Sequence, residues 1–248
     1  LPYFSEIGGY AVISISLPDN VVTISCSLVC WGIIGFLIWK RLQQSEHQLI
    51  WWKAVIVTVV GLSVFRLGVI IAGEMIKIPV FPLGVWLLNY LYSGKLDEWE
   101  KYRWFAWLGF SASFLFLAAT LLAIPIHSFI YPQNEPATYL ANMNDAAVTA
   151  IHPAGEDVTL NVNMLRDSLA AFSREEVQMF EWYEQMQSEP DPQKRKERFP
   201  YLLTGVKPKW GSGIPTLIYL EEDGKGILIT TPKKQLYFRS QQALVEGM

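Results

Sequence analysis

Cysteine, histidine and charge are all scarce in this sequence. Its 248 residues include two Cys, three His and 17% charged residues, against about 25% charged in an ordinary soluble domain. Cys26 and Cys30 stand four residues apart in one apolar run, a spacing that puts both on one helix face and suits a disulfide poorly. With no acid or imidazole beside them they make a poor metal site, and a disulfide framework is excluded. The histidines, His47, His127 and His152, are scattered. That argues against a His-rich haem or di-metal centre, and no cofactor is expected. No Asn-x-Ser/Thr sequon occurs, as is compatible with a bacterial chain.

Nucleic acid is not an expected partner. The net charge is −3, and the basic run Lys194, Arg195, Lys196 and Arg198 sits in a Pro-containing polar connector without interleaved aromatics, as a solvated face does. Gly211, Ser212 and Gly213 follow Lys207 and Lys209, yet the Gly-x4-Gly-Lys-Ser/Thr phosphate loop is absent. Ser111 and Ser113 have no histidine within their apolar run to serve as a base. No catalytic residue is nominated.

What the sequence does have is apolar residues, 51% of the chain with ten Trp, gathered into runs. Residues 21–39 and 104–126 contain no charged residue, and each meets the roughly 18 to 20 residues that a helix needs to cross a ~30 Å hydrocarbon layer. The expected class is therefore an integral membrane protein with other membrane subunits and the lipid bilayer as partners. Residues 54–73 form a further apolar stretch broken by Arg66, and 78–92 a short one with Pro79 and Pro82 near its start. The expected architecture is membrane α-helical, with three to four transmembrane segments at about 21–39, 54–73, 78–92 (short or re-entrant) and 104–126. An extramembrane arm, 1–20, precedes them and a small soluble α+β domain, 128–248, follows.

Charge sets the orientation. Lys40, Arg41 and Lys53 follow the first crossing, and Lys95, Lys101 and Arg103 precede the last; short basic loops stay in the cytoplasm. Four crossings put both clusters inside and export the C-terminal domain. Three crossings would leave that domain cytoplasmic. Four is the favoured count, and a bacterial inner membrane the favoured location.

Small residues that allow helices to approach, and so partner contacts, are Cys26, Cys30, Gly68, Ala72, Gly109 and Ser113, with Gly32, Gly35 and Gly61 of the same kind. Arg66, a charge within an apolar segment, reads as an anchor to another chain or as a pathway residue. In the C-terminal region, 156–163 alternates as a strand does, while 216–220, 227–231 and 235–239 read as a hairpin plus a third strand around the acidic tip Glu221, Glu222 and Asp223. The tip reads as a solvated turn. Ser173 and Glu176 have capping-box spacing, which predicts a helix over 174–187 whose Phe180, Trp182 and Tyr183 form a docking face.

The expected function is a non-catalytic polytopic subunit that anchors and positions a multi-protein envelope assembly, such as a secretion, conjugation or transport machine. The alternatives are a transporter or channel with Arg66 lining its path, and a lipid-modifying enzyme using the polar cluster Asp97, Glu98, Glu100, Lys101 and Arg103.

Overall fold

A computed structural model of the chain describes residues 20–45, 49–71, 74–153, 155–176 and 197–247. Two helices in it are long and apolar enough to cross a membrane: α1 (Val21–Gln44) and α4 (Leu96–Ile130). Asn20 starts α1 by accepting the Thr23 amide at 2.8 Å, as an N-cap does. At its other end Arg41 complements the helix dipole. The 35 residues of α4 extend about 52 Å. Asp97 and Glu98 in its first turn suit the positive end of the dipole. Pro125 lies inside the helix and removes one donor from its ladder.

The two long helices run antiparallel in even register. Val22 packs with Ala123, Cys30 Sγ lies 3.9 Å from the Leu115 carbonyl, Trp31 meets Phe116 edge-on at 5.5 Å, and Arg41 stacks over Trp104 at 5.4 Å. The start of α1 is therefore beside the end of α4. Both predicted runs are longer than expected, 21–44 in place of 21–39 and 96–130 in place of 104–126, because amphipathic and charged residues extend each helix beyond its apolar core.

Between them the expectation of helices at 54–73 and 78–92 is corrected. The chain forms α2 (Trp51–Gly61), an antiparallel hairpin of β1 (Phe65–Ile71) and β2 (Glu74–Phe81), and α3 (Leu83–Leu91). Two features of the sequence account for this. Phe65, Leu67 and Val69 alternate with Arg66 and Gly68, a period of two inside what reads as a continuous apolar run. Pro79 has no amide for a helix ladder, and the extended conformation before a proline suits Ile78. Pro82 then caps α3.

The C-terminal region is sheet-rich. After a single 3-10 turn, Pro136–Thr138, come β3 (Ala147–Ala150), β4 (Thr159–Leu160), α5 (Val162–Ser168), β5 (Ser173–Glu175), β6 (Tyr201–Thr204), β7 (Leu217–Leu220), β8 (Gly226–Thr230), β9 (Gln235–Arg239) and β10 (Val245–Glu246). Six strands form one antiparallel sheet in the order β3-β6-β7-β8-β9-β5, and β4 pairs with β10. One face of the large sheet supplies Leu203, Ile218, Leu220, Ile229 and Phe238 to a core closed by Tyr139, Leu165 and Leu244.

The hairpin β7–β8 and the third strand β9 stand where the β-rich runs put them. Two other expectations are corrected. Only Thr159–Leu160 of 156–163 is strand, because Asn161 turns the chain and caps α5 through the Met164 amide at 2.9 Å. Ser173–Glu175 is strand β5 and not a helix start: β9 offers it a ladder partner, and the Ser173 hydroxyl is 3.3 Å from both Glu175 and the Arg239 carbonyl. The rest of the expected docking helix, with Phe180, Trp182 and Tyr183, lies outside the described residues, as does Ala72. Helix α4 runs on to Ile130.

Candidate functional site

Three helices converge on glycine. A Cβ on Gly61 of α2 would run into the Ala106 carbonyl of α4, one on Gly109 of α4 into the Thr58 carbonyl of α2, and one on Gly84 of α3 into the Val60 carbonyl of α2. Backbone thus lies on backbone, the arrangement small residues permit where burial from water does not drive association. Tyr102 secures the entry of α2, accepting the Ile50 amide at 3.2 Å. Of the other small residues, Cys30 is buried against α4 and Cys26 half-buried. Ser113 is buried, its hydroxyl without a hydrogen-bond partner among the described residues. Gly32 and Gly35 have nothing within 4 Å of a Cβ position.

The crossing holds the β1–β2 hairpin alongside the C-terminal half of α4, against which β2 buries Ile76. Phe65, Phe81 and Trp86 stack in series at its base, with ring centroids 6.1 and 6.0 Å apart. In the ladder Arg66 faces Pro79 and Gly68 faces Lys77, so Arg66 and Lys77 occupy one face of the hairpin as diagonal neighbours. Both are exposed. Among the described residues no acid forms an ion pair with either. The sheet has two strands only, so both outer edges present backbone N–H and C=O groups without a strand partner among the described residues. Gly68 is therefore an exposed strand glycine and not a helix contact, and Arg66 does not lie on a helix.

The acidic turn of the C-terminal domain is also different from its sequence reading. Glu221 is buried, with Arg198 Nε donating to Oε1 at 2.7 Å and both Arg239 Nη1 and the Tyr237 hydroxyl donating to Oε2 at 2.5 Å. Arg239 also pairs with Asp223, and Arg198 stacks over the Tyr237 ring at 5.2 Å. Burial, then the hydrogen bond to Glu221, pushes the Tyr237 phenol above its usual range, with Arg239 opposing. Burial disfavours the Arg198 and Arg239 charges, but their partners outweigh it and hold both guanidinium groups more firmly protonated. Two acids and two arginines satisfy one another here, so the turn is an internal clamp. The sequence signal for it was the recurrence of Arg198 and Arg239 at the flanks of the acids, legible only once the strands are paired.

No group of three or more His, Cys, Asp or Glu side chains suited to a metal occurs among the described residues. Compared with known families, with curated proteins and with solved structures, the chain finds no match.

Proposed function

We propose that the chain is a non-catalytic polytopic membrane subunit that anchors and positions a multi-protein envelope assembly, of the kind that drives secretion, conjugation or transport. The observation that carries this reading is the open-edged hairpin lying along α4. In hydrocarbon each unpaired backbone group costs several kcal/mol, so non-helical backbone persists only where protein or a polar cavity covers it. A partner subunit would pair the edges and bring acids to Arg66 and Lys77. The outer edge of β3, which has no strand partner among the described residues, offers the exported domain a second place for strand addition.

The proposed orientation uses the same elements. Helix α2 with β1, and β2 with α3, make two arms of 11 plus 7 and 8 plus 9 residues. Laid end to end, the helix and strand of each arm would extend about 40 Å, enough for the ~30 Å hydrocarbon layer. Two composite arms and two long helices amount to four crossings, with Lys40, Arg41, Lys53, Lys95, Lys101 and Arg103 on the cytoplasmic side of a bacterial inner membrane.

The test is purification of the tagged chain from its host membrane in gentle detergent, followed by native mass and identification of stoichiometric companions. Discrete companions that disappear with Arg66→Leu are the expected result. A homo-oligomer that keeps its mass in Arg66→Leu but loses flux after reconstitution would replace this reading with a second one, an anion pathway. That reading is favoured by the shared face of Arg66 and Lys77, since paired cations in a wet cavity attract anions.

A further inference from the structure

The loop that carries Trp210 is fixed between the C-terminal domain and the ends of both long helices. Toward the domain, the Lys207 amide donates to the Asn142 carbonyl at 2.8 Å and the Lys209 amide to the Thr138 carbonyl at 2.9 Å. Toward the helices, the Val21 amide donates to the Gly211 carbonyl at 2.9 Å, the Tyr131 hydroxyl to the Trp210 carbonyl at 3.0 Å, and His127 Nε2 to the Ser212 carbonyl at 2.8 Å. Gly211 turns the chain with φ +77°, and a Cβ there would strike Val21 and the Tyr131 hydroxyl.

The backbone of Trp210 is thus pinned on both sides. Its side chain is nevertheless 85% exposed, and the indole N–H has no hydrogen-bond partner among the described residues. A single exposed apolar side chain needs no explanation by itself. What sets this one apart is its height along the helices. Val21, bonded to the next residue of the loop, opens the uncharged run 21–39, and Trp39 closes it. The helix rises about 27 Å between them, close to the ~30 Å hydrocarbon layer.

Exposed aromatic rings stand at both ends of that rise. At one end is Trp39, joined by Trp51 and Trp52 where α2 begins beside Tyr102. At the other are Trp210 and, in the last turn of α4, Phe129. Tryptophan gathers at the two faces of a bilayer, where its ring lies among apolar chain ends and its N–H meets lipid carbonyls or water. Here the membrane helices supply the tryptophans of one face, and the C-terminal domain supplies that of the other.

We propose that Trp210 anchors the C-terminal domain to lipid, its indole ring seated in the headgroup layer of the phospholipid bilayer that α1 and α4 cross. The inference rests on that crossing, as proposed above. It gives the domain a hold on the membrane surface in addition to its seat on the helix ends.

The experiment uses the full chain, labelled with fluorotryptophan, reconstituted into phosphatidylcholine nanodiscs and read by fluorine NMR. Trp210→Phe and Trp39→Phe identify the two resonances by their disappearance. The expected result is that a phosphatidylcholine carrying a nitroxide at the top of its acyl chain abolishes the Trp210 resonance, whereas a soluble gadolinium chelate broadens it less. Stronger broadening by the chelate would place the indole in water and overturn the proposal. A resonance that neither agent reaches would do the same, assigning the side chain to a protein contact. Trp39 separates this failure from failure of the crossing. Loss of its resonance to the labelled lipid beside an untouched Trp210 would remove the anchor alone, while both resonances untouched would remove the crossing as well.

Discussion

Glu221 has almost no water to stabilise its charge, and Arg198, Arg239 and Tyr237 make its burial tolerable by occupying both carboxylate oxygens. Removing one partner from a buried ion pair leaves the others charged and unmatched, at a cost of about 3 to 5 kcal/mol. Glu221→Gln should therefore lower the unfolding free energy of the sheet by about 3 kcal/mol in a urea titration, whereas Glu222→Gln, at an exposed neighbour, should change it little. Equal midpoints for the two variants would show that the clamp does not hold the domain. Tyr139 gives a pH signature at the same scale. It is fully buried, donates to the Gln133 carbonyl at 2.9 Å, and burial pushes its pKa up to about 12. An unfolded tyrosine loses its proton near pH 10, so between about pH 10 and 12 the unfolded state binds fewer protons and stability falls as pH rises. The contribution is fully present below pH 10 and amounts to about 3 kcal/mol across two units. Tyr139→Phe should flatten stability over that window; tyrosinate absorbance recorded with the sheet circular dichroism would reveal it. A wild-type chain that ionises this phenol at pH 10 without losing its sheet would refute the assignment.

At the scale of elements, the crossing of α2, α3 and α4 depends on three glycines whose missing side chains leave space for neighbouring carbonyls. Gly109→Val forces backbone to move and should cost about 1 to 3 kcal/mol, as overpacking does. Gly32→Ala should be nearly neutral in the isolated chain, since nothing lies within 4 Å of that position. Thermal unfolding of the two variants in the same detergent separates them, and equal losses would mean that the crossing does not limit stability. Sequence reading reached Gly109 through its residue type, but Gly84 lay in a segment treated only as a short crossing. The strands β7, β8 and β9 were legible because each is a short β-rich run bounded by turn residues. The β1–β2 hairpin was not: both its strands are apolar, so hydropathy ran them into helices, and only Arg66, Gly68, Lys77 and Pro79 carried the period of two. Serine and glutamate at capping-box spacing misled for a complementary reason, since β9 gave Ser173–Glu175 a ladder that local chemistry does not register.

For the whole molecule, the decisive constraint is that α1 begins and α4 ends against the same loop of the C-terminal domain, through Val21, His127 and Tyr131. The two helices are antiparallel, so whichever side of a bilayer takes the domain must also take the start of α1. Residue 20 and the sheet are then on one side, and the basic ends of α1 and α4 on the other. In the orientation proposed above, six Lys and Arg residues, at 40, 41, 53, 95, 101 and 103, keep their side in the cytoplasm, because basic residues close to a crossing resist translocation. A periplasm-dependent phosphatase fused after Met248 should therefore be active, and a cytosol-dependent fluorescent reporter at the same point dark. Acidic substitution of Lys40 and Arg41 together with Lys101 and Arg103 should reduce the exported fraction, while the same change at Lys194, Arg195 and Lys196, remote from the apolar runs, should not. A cytosolic signal from the unaltered fusion would invert the orientation of helices and domain together, since the contacts at Gly211 and Ser212 do not permit one to turn over without the other.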